Sequence, residues 1–360
     1  MDVLGGTAMG RRLLWRSAAA AVAVCGGGMS SIAVDDGPAV VPLFLCGGAY
    51  CSGYSIDGQQ FRAVLDTGSP FLLVDGTCAA DDDNSRWGCY RGAAVPSGLG
   101  DTDELYGGED VSVEWKRGDF AFKQARIDEQ LRLTAAVPGA VFGVVRGYEG
   151  KGGGGAVFLG LCKQRLPRIR PTLLEQTDIA GLRFDFLGRR LELSRRPLIR
   201  PGQDAIRMVD LRPRGAPVAN YAARGDRLFV NGQVVDLDRQ LVVVVDTGTT
   251  GISVDERLFD LLPSRWLDAR IELKSERGRR VGLEASVRRR RRPGSPGANV
   301  PSTAEEFDEF PLVVSPIRVP WFDPEAHSTA CTVPGILYMH PPNRMPSVHS
   351  WTRALRMVQV

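Results

Sequence analysis

Short apolar runs separated by Gly and Pro dominate this chain, and few stretches carry a helical period. From Gly53 to Gly68 the sequence GYSIDGQQFRAVLDTG alternates apolar and polar positions around Asp57-Gly58, a pair suited to a two-residue hairpin turn. From Asp226 to Gly248, DRLFVNGQVVDLDRQLVVVVDTG repeats the plan with Asn231-Gly232 at the turn. Each hairpin then passes through an apolar segment, Ala63 to Leu65 in the first and Val242 to Val245 in the second, and ends on Asp-Thr-Gly. The repetition predicts an all-β chain of two related halves, residues 34–200 and 201–360, with a Pro- and Arg-rich junction near Pro197 to Pro217. Short helices are predicted at Thr172 to Glu175 and at Asp255 to Leu262, where acidic residues open DERLFDLL.

Length and composition bound the class. With 360 residues, 43% apolar positions and a net charge of +3, the chain suits one large or two medium globular domains. No stretch reaches the ~20 unbroken apolar residues a spanning helix needs. The longest candidate is interrupted by Arg16 and by Gly26, Gly27 and Gly28, so stable membrane insertion is not expected. Between Asp2 and Asp35 there is no carboxylate. Arg11, Arg12 and Arg16 precede an Ala/Val stretch and then Ser31-Ile32-Ala33, a pattern that predicts a signal or transit peptide over residues 1–33. Export to the outside or to an endomembrane or vacuolar lumen is the preferred destination, with plastid or mitochondrion as the alternative.

The cysteines agree with export. Cys46 and Cys51 bracket GGAY, and Cys78 and Cys89 bracket an Asp-rich loop, so each pair can close a small loop as a disulfide. Reduced buried thiols are the alternative, while Cys162 and Cys331 have no evident partner. No His stands near these cysteines, and no metal or cofactor is expected. The segment Ser286 to Val300 carries the run Arg288 to Arg292 with no aromatic residue interleaved. It predicts a solvated loop or disordered insertion, and no nucleic-acid partner.

The two Asp-Thr-Gly segments pose a physical problem. An apolar strand carries the following carboxylate inward, where an isolated charge is severely penalised. If two such loops meet across an approximate two-fold axis, Asp66 and Asp246 become each other's partners and divide one proton. Such a pair can hold a water, the ionised member taking its proton while the protonated member hydrogen-bonds the carbonyl oxygen under attack. Thr67 and Thr247 suit bonds to the opposite loop, Gly68 and Gly248 permit close approach, and Ser69 and Thr249 can reach the acid before them.

These residues resemble those of the pepsin-like aspartic proteases, in which two lobes each supply one Asp-Thr-Gly-Ser/Thr motif. One such tripeptide arises by chance in roughly one chain in ten of this length, but two after matching hairpins are a specific signal. The resemblance covers most of the chain from about Tyr54 onward, loosely away from the motifs. It implies a bilobal acid-protease fold with the cleft between the lobes, and an aspartic endopeptidase acting on extended polypeptides as a monomer. It also implies a flap in ELYGG, with Tyr106 followed by Gly107 closing over substrate. Leu159-Gly160 would be the apolar-Gly element behind the first loop, and Leu182 to Leu193 a hairpin in the sheet joining the lobes. The short distance from Ala33 to Asp66 leaves no room for a long inhibitory prosegment. A catalytically inactive peptide-binding or inhibitory relative is the alternative, and both acids being intact weighs against it.

Two departures stand out. Leu73 occupies the place where the family often has a Trp bonded to the flap Tyr. In the second half the apolar-Gly element is expected between Val333 and Met339, with Tyr338 where Gly belongs.

Overall fold

The computed structural model describes residues 38–46, 49–77, 87–106, 109–123, 136–149, 158–186, 188–198, 203–237, 240–248, 252–262, 266–289, 312–317, 328–334 and 358–359. Residues 1–33, Cys78, Gly107, Thr249, Arg290 to Arg292 and Tyr338 lie outside that set, as does the side chain of Tyr106.

Strands form almost all of the regular structure, as the alternation predicts. The first half contains β1 (Ala39–Pro42), β2 (Phe44–Cys46), β3 (Ala49–Ile56), β4 (Gln59–Asp66), β5 (Leu73–Asp75), β6 (Val95–Pro96), β7 (Thr102–Tyr106), β8 (Glu109–Phe122), β9 (Ala136–Glu149) and β10 (Phe158–Gly160). Then come β11 (Gly181–Asp185) and β12 (Arg190–Ser194). The second half holds β13 (Ala222–Val230), β14 (Gln233–Val234), β15 (Gln240–Asp246), β16 (Ile252–Asp255), helix α1 (Glu256–Leu261), β17 (Trp266–Lys274), β18 (Arg280–Arg289), β19 (Leu312–Ile317) and β20 (Ser328–Pro334), with β21 (Val358–Gln359) beyond.

Among the described residues these strands form three sheets. One draws only on β2 to β10, and a second only on β13 to β20. The third has the order β1-β12-β11-β21, so the hairpin predicted at Leu182 to Leu193 lies in a sheet with the outermost described strands of the chain.

Matching turns begin the repeat. Asp57 and Gly58 have φ of 51° and 80°, and Asn231 and Gly232 have the same two values. Both positions of each turn are left-handed, which explains an Asn or Asp followed by Gly at both sites. The first turn joins β3 to β4, and the second joins β13 to β14.

The likeness continues past the acids. β4 lies parallel to β10 with Asp66 opposite Gly160, and β15 lies parallel to β20 with Asp246 opposite Pro334. Leu159 of β10 also bridges Leu72 in antiparallel sense, while β20 pairs antiparallel with β16. In each half a later strand is thus threaded between the acid-bearing strand and the segment after its loop.

This register corrects the second apolar-Gly expectation. Pro334, not Tyr338, stands opposite Asp246, because the parallel ladder from Gln240 and Ser328 to Asp246 and Pro334 runs without a slip. The basic run is also corrected at its start. Arg288 and Arg289 belong to β18, whose backbone is held by β17 on one side and β19 on the other. The predicted helices shift slightly: a 3-10 turn spans Leu174–Gln176, and Asp255 closes β16 before α1.

The core forms two main clusters. One gathers Tyr54, Phe61, Leu65, Phe120, Phe142 and Leu159, and takes in Tyr221 and Val245 from the second half. The other packs Leu228, Val243, Phe259, Ile271 and Leu283. Val245 therefore packs with the first cluster while its neighbour Val243 packs with the second. The two acid-bearing strands meet where the clusters adjoin.

Candidate active site

Ala63, Val64 and Leu65 are buried, and the last residue of their strand, Asp66, is buried with them. Asp246 ends β15 in the same manner and is half-buried. Each carboxylate is first held by its own loop. Asp66 Oδ1 accepts the Gly68 N–H at 2.7 Å, and Asp246 Oδ1 accepts the Gly248 N–H at 2.8 Å.

The loops then bind one another through buried threonines. The Thr67 N–H donates to Thr247 Oγ1 at 3.1 Å, and the Thr247 N–H donates to Thr67 Oγ1 at 3.0 Å. Each hydroxyl donates onward across the seam, Thr67 to the Val245 carbonyl and Thr247 to the Leu65 carbonyl. Every polar atom of the two side chains is used, so neither threonine carries an unmet burial cost.

Glycine is required beside both acids. A Cβ on Gly68 would stand 2.6 Å from Asp246 Oδ2, and a Cβ on Gly248 would collide in the same way with the Asp66 carboxyl. Each carboxyl therefore lies over the glycine of the opposite loop. The two carboxyls face one another closely enough to interact by charge and by hydrogen bonding.

Burial, followed by the charge of Asp246 and hydrogen bonding with it, pushes the Asp66 carboxyl well above the usual carboxylate range. Ser69 and the Gly68 N–H oppose the shift by favouring the ionised form. Ser69 Oγ is buried and near enough to act on Asp66 electrostatically, yet its geometry falls short of a well-formed hydrogen bond among the described residues.

Behind the first loop runs the segment from Phe158 to Cys162. Gly160 donates to the Phe71 carbonyl, Leu161 to that of Asp66 and Cys162 to that of Ser69. A Cβ at Gly160 would stand 2.6 Å from the Ser69 carbonyl oxygen, so backbone passes where no side chain fits. Cys162, a free and buried thiol, donates to the Thr67 carbonyl at 3.2 Å.

β7 and β8 pair antiparallel as a hairpin, with Tyr106 opposite Glu109 at its end. Its base is secured by Trp115, which sequence reasoning passed over. Trp115 is fully buried on β8, meets Phe71 edge-on at 5.1 Å and donates its indole N–H to Thr102 Oγ1 of β7 at 2.8 Å. Phe71 follows the Asp66 loop, and Leu73 two residues later is buried in the same cluster. The aromatic side chain that braces the hairpin against this loop thus comes from the hairpin itself. A lone Trp inside a polar-flanked strand gave no sign of it.

Cys46 and Cys51 are bridged across the β2–β3 turn, and Cys89 is also disulfide-bonded. Among the described residues no three metal-ligating side chains cluster, and no helix is long and apolar enough to cross a membrane. Set against known proteins, the chain matches no protein-family model and no curated sequence.

Proposed function

We propose that this chain is an aspartic endopeptidase with a bilobal pepsin-like fold, hydrolysing peptide bonds with a water activated between Asp66 and Asp246. The observation that carries the reading is the reciprocal seating of each carboxyl over the opposite loop's glycine, locked by the paired threonines. Two acids facing one another, one buried and one half-buried, meet the condition under which one of the pair stays protonated.

One member of the coupled pair holds the shared proton and passes it to the substrate carbonyl oxygen. The other member takes a proton from the water as the water oxygen bonds to the carbonyl carbon, so that a tetrahedral gem-diol forms. That second proton passes to the departing nitrogen, the C–N bond breaks as one diol hydroxyl returns its proton to the first carboxyl, and the pair again shares one proton. The pair titrates as a unit. The β7–β8 hairpin, with Tyr106 at its end, closes over an extended polypeptide. Because both acids come from one chain, a monomer suffices. The Cys46–Cys51 bridge favours an oxidising compartment and therefore export.

The test is hydrolysis of a denatured protein by the full chain from about pH 3 to about pH 7, with and without a statine inhibitor. Activity at acidic pH, blocked by the inhibitor and lost in Asp66→Asn and Asp246→Asn by at least ~10³-fold, is the expected result. Tight statine binding without hydrolysis would leave a peptide-binding protein. Hydrolysis that survives both substitutions would remove the site from consideration.

A further inference from the structure

We propose that Tyr221 is a positioning residue for the carboxyl pair, its hydroxyl and main-chain carbonyl together fixing the distance between the two acid-bearing strands. This inference deepens the reading of the pair as the reactive centre and rests on it.

Tyr221 immediately precedes β13 and is buried in the first core cluster beside Val245. Its phenol O–H donates to the Leu161 carbonyl at 2.7 Å, and the Leu161 N–H donates to the Asp66 carbonyl at 2.7 Å. In the other direction, the Tyr221 carbonyl accepts the Val245 N–H at 2.8 Å, one residue before Asp246. Val245 in turn accepts the Thr67 hydroxyl at 2.9 Å. The result is a closed circuit from Asp66 through Leu161, Tyr221 and Val245 to Thr67.

Two features show that the circuit is anchored. Residues on either side of it pair across the junction, where Leu166 donates to the Pro217 carbonyl and Ala219 to that of Gln164. The Tyr221 ring is also rigid and fills core volume, so its hydroxyl cannot move without disturbing its neighbours. The paired threonines tie the loops to each other at the seam. Tyr221 ties the strands that enter those loops, one step behind.

The titratable groups acting on one another here are Asp66, Asp246, Cys162 and Tyr221. Removal of the phenol oxygen leaves the Leu161 carbonyl unpaired and lets the Asp66 strand relax away from β15. The carboxyl groups separate, and the two protonation steps of the pair draw closer together.

Tyr221→Phe in the full chain tests this. We expect kcat to fall roughly tenfold with KM unchanged, and the acidic and basic limbs of the rate profile to approach each other. A ¹³C-carboxyl titration of Asp66 and Asp246, assigned with Asp66→Asn and Asp246→Asn, should show the same narrowing without depending on turnover. A lower melting temperature with both profiles unchanged would make Tyr221 a packing residue and overturn the proposal. If the wild-type chain fails to hydrolyse polypeptide, the reading of the site falls, while the carboxyl titration still decides the role of Tyr221. Should the Phe variant not fold, 3-fluorotyrosine at position 221 keeps the ring and changes donor strength. The carboxyl titration must then move, and an unchanged titration refutes the inference.

Discussion

Thr67 and Thr247, 180 residues apart, exchange backbone N–H to hydroxyl hydrogen bonds and are both buried. Each hydroxyl is donor and acceptor at once, so the four bonds form a cooperative unit rather than separate contacts. Replacing either residue by Val keeps the shape and strands an N–H and a carbonyl in the seam. We expect Thr67→Val and Thr247→Val each to cost about 1–3 kcal/mol in urea unfolding. The double variant should cost clearly less than the sum, because both singles break the same unit. Strict additivity would show that the two threonines act separately.

The glycines beside the acids test the contact between loops. Alanine at position 68 needs no unusual backbone angle, so its effect arises from the Cβ driven into the Asp246 carboxyl. Gly68→Ala and Gly248→Ala should therefore displace the acids. In the proposed enzyme a shift of about 1 Å costs on the order of 10²-fold in kcat. Full activity in either variant would mean that the acids work at a wider spacing than the structure has.

The dependence of stability on pH follows from Asp66. Its folded-state value is raised, so between the ordinary carboxylate range and that raised value the folded chain binds more protons than the unfolded one. Its contribution is favourable at low pH, declines as pH climbs through this window, and is lost above it. Glu114, Asp210 and Asp226 are lowered by their Lys and Arg partners and act in the opposite sense as pH rises. The difference between wild type and Asp66→Asn isolates the buried acid. The Asn variant should gain stability relative to wild type as pH increases toward neutrality, and a constant difference across urea titrations would contradict the raised value.

Much of this arrangement was legible in the chain itself, for identifiable reasons. Asp57-Gly58 and Asn231-Gly232 mark left-handed turns because few other pairs adopt them, and the apolar run before each acid marks a buried strand. Asp66 and Asp246 followed from asking what a buried carboxylate requires. The parts that were missed depend on long-range register, which local pattern does not encode. Pro334 is opposite Asp246 only because the β15–β20 ladder has no slip, and counting residues pointed to Tyr338 instead. Arg288 and Arg289 read as loop because charge outweighs alternation locally, yet neighbouring strands on both sides hold their backbone. Tyr221 and Trp115 act through partners far along the sequence, and neither lies in a motif.

Trp115 supports a prediction about the β7–β8 hairpin. Its ring packs on Phe71 at the root of the Asp66 loop, and its indole N–H reaches Thr102 on the opposite hairpin strand. One side chain thus joins the hairpin to the loop that carries an acid. Trp115→Ala empties a large buried volume and should cost about 3–5 kcal/mol in urea unfolding. Trp115→Phe keeps an aromatic ring against Phe71 but loses the bond to Thr102 and leaves a small cavity where the indole extended, a combined cost of about 1–3 kcal/mol. Thr102→Val leaves the indole N–H without a partner and should cost about 1–3 kcal/mol. In the proposed enzyme both conservative variants loosen the hairpin without touching the acids, so KM for a polypeptide should rise while the pH profile stays in place. A shifted pH profile with KM unaltered would instead mean that Trp115 acts on the acids through Phe71, and that the hairpin is held by other contacts.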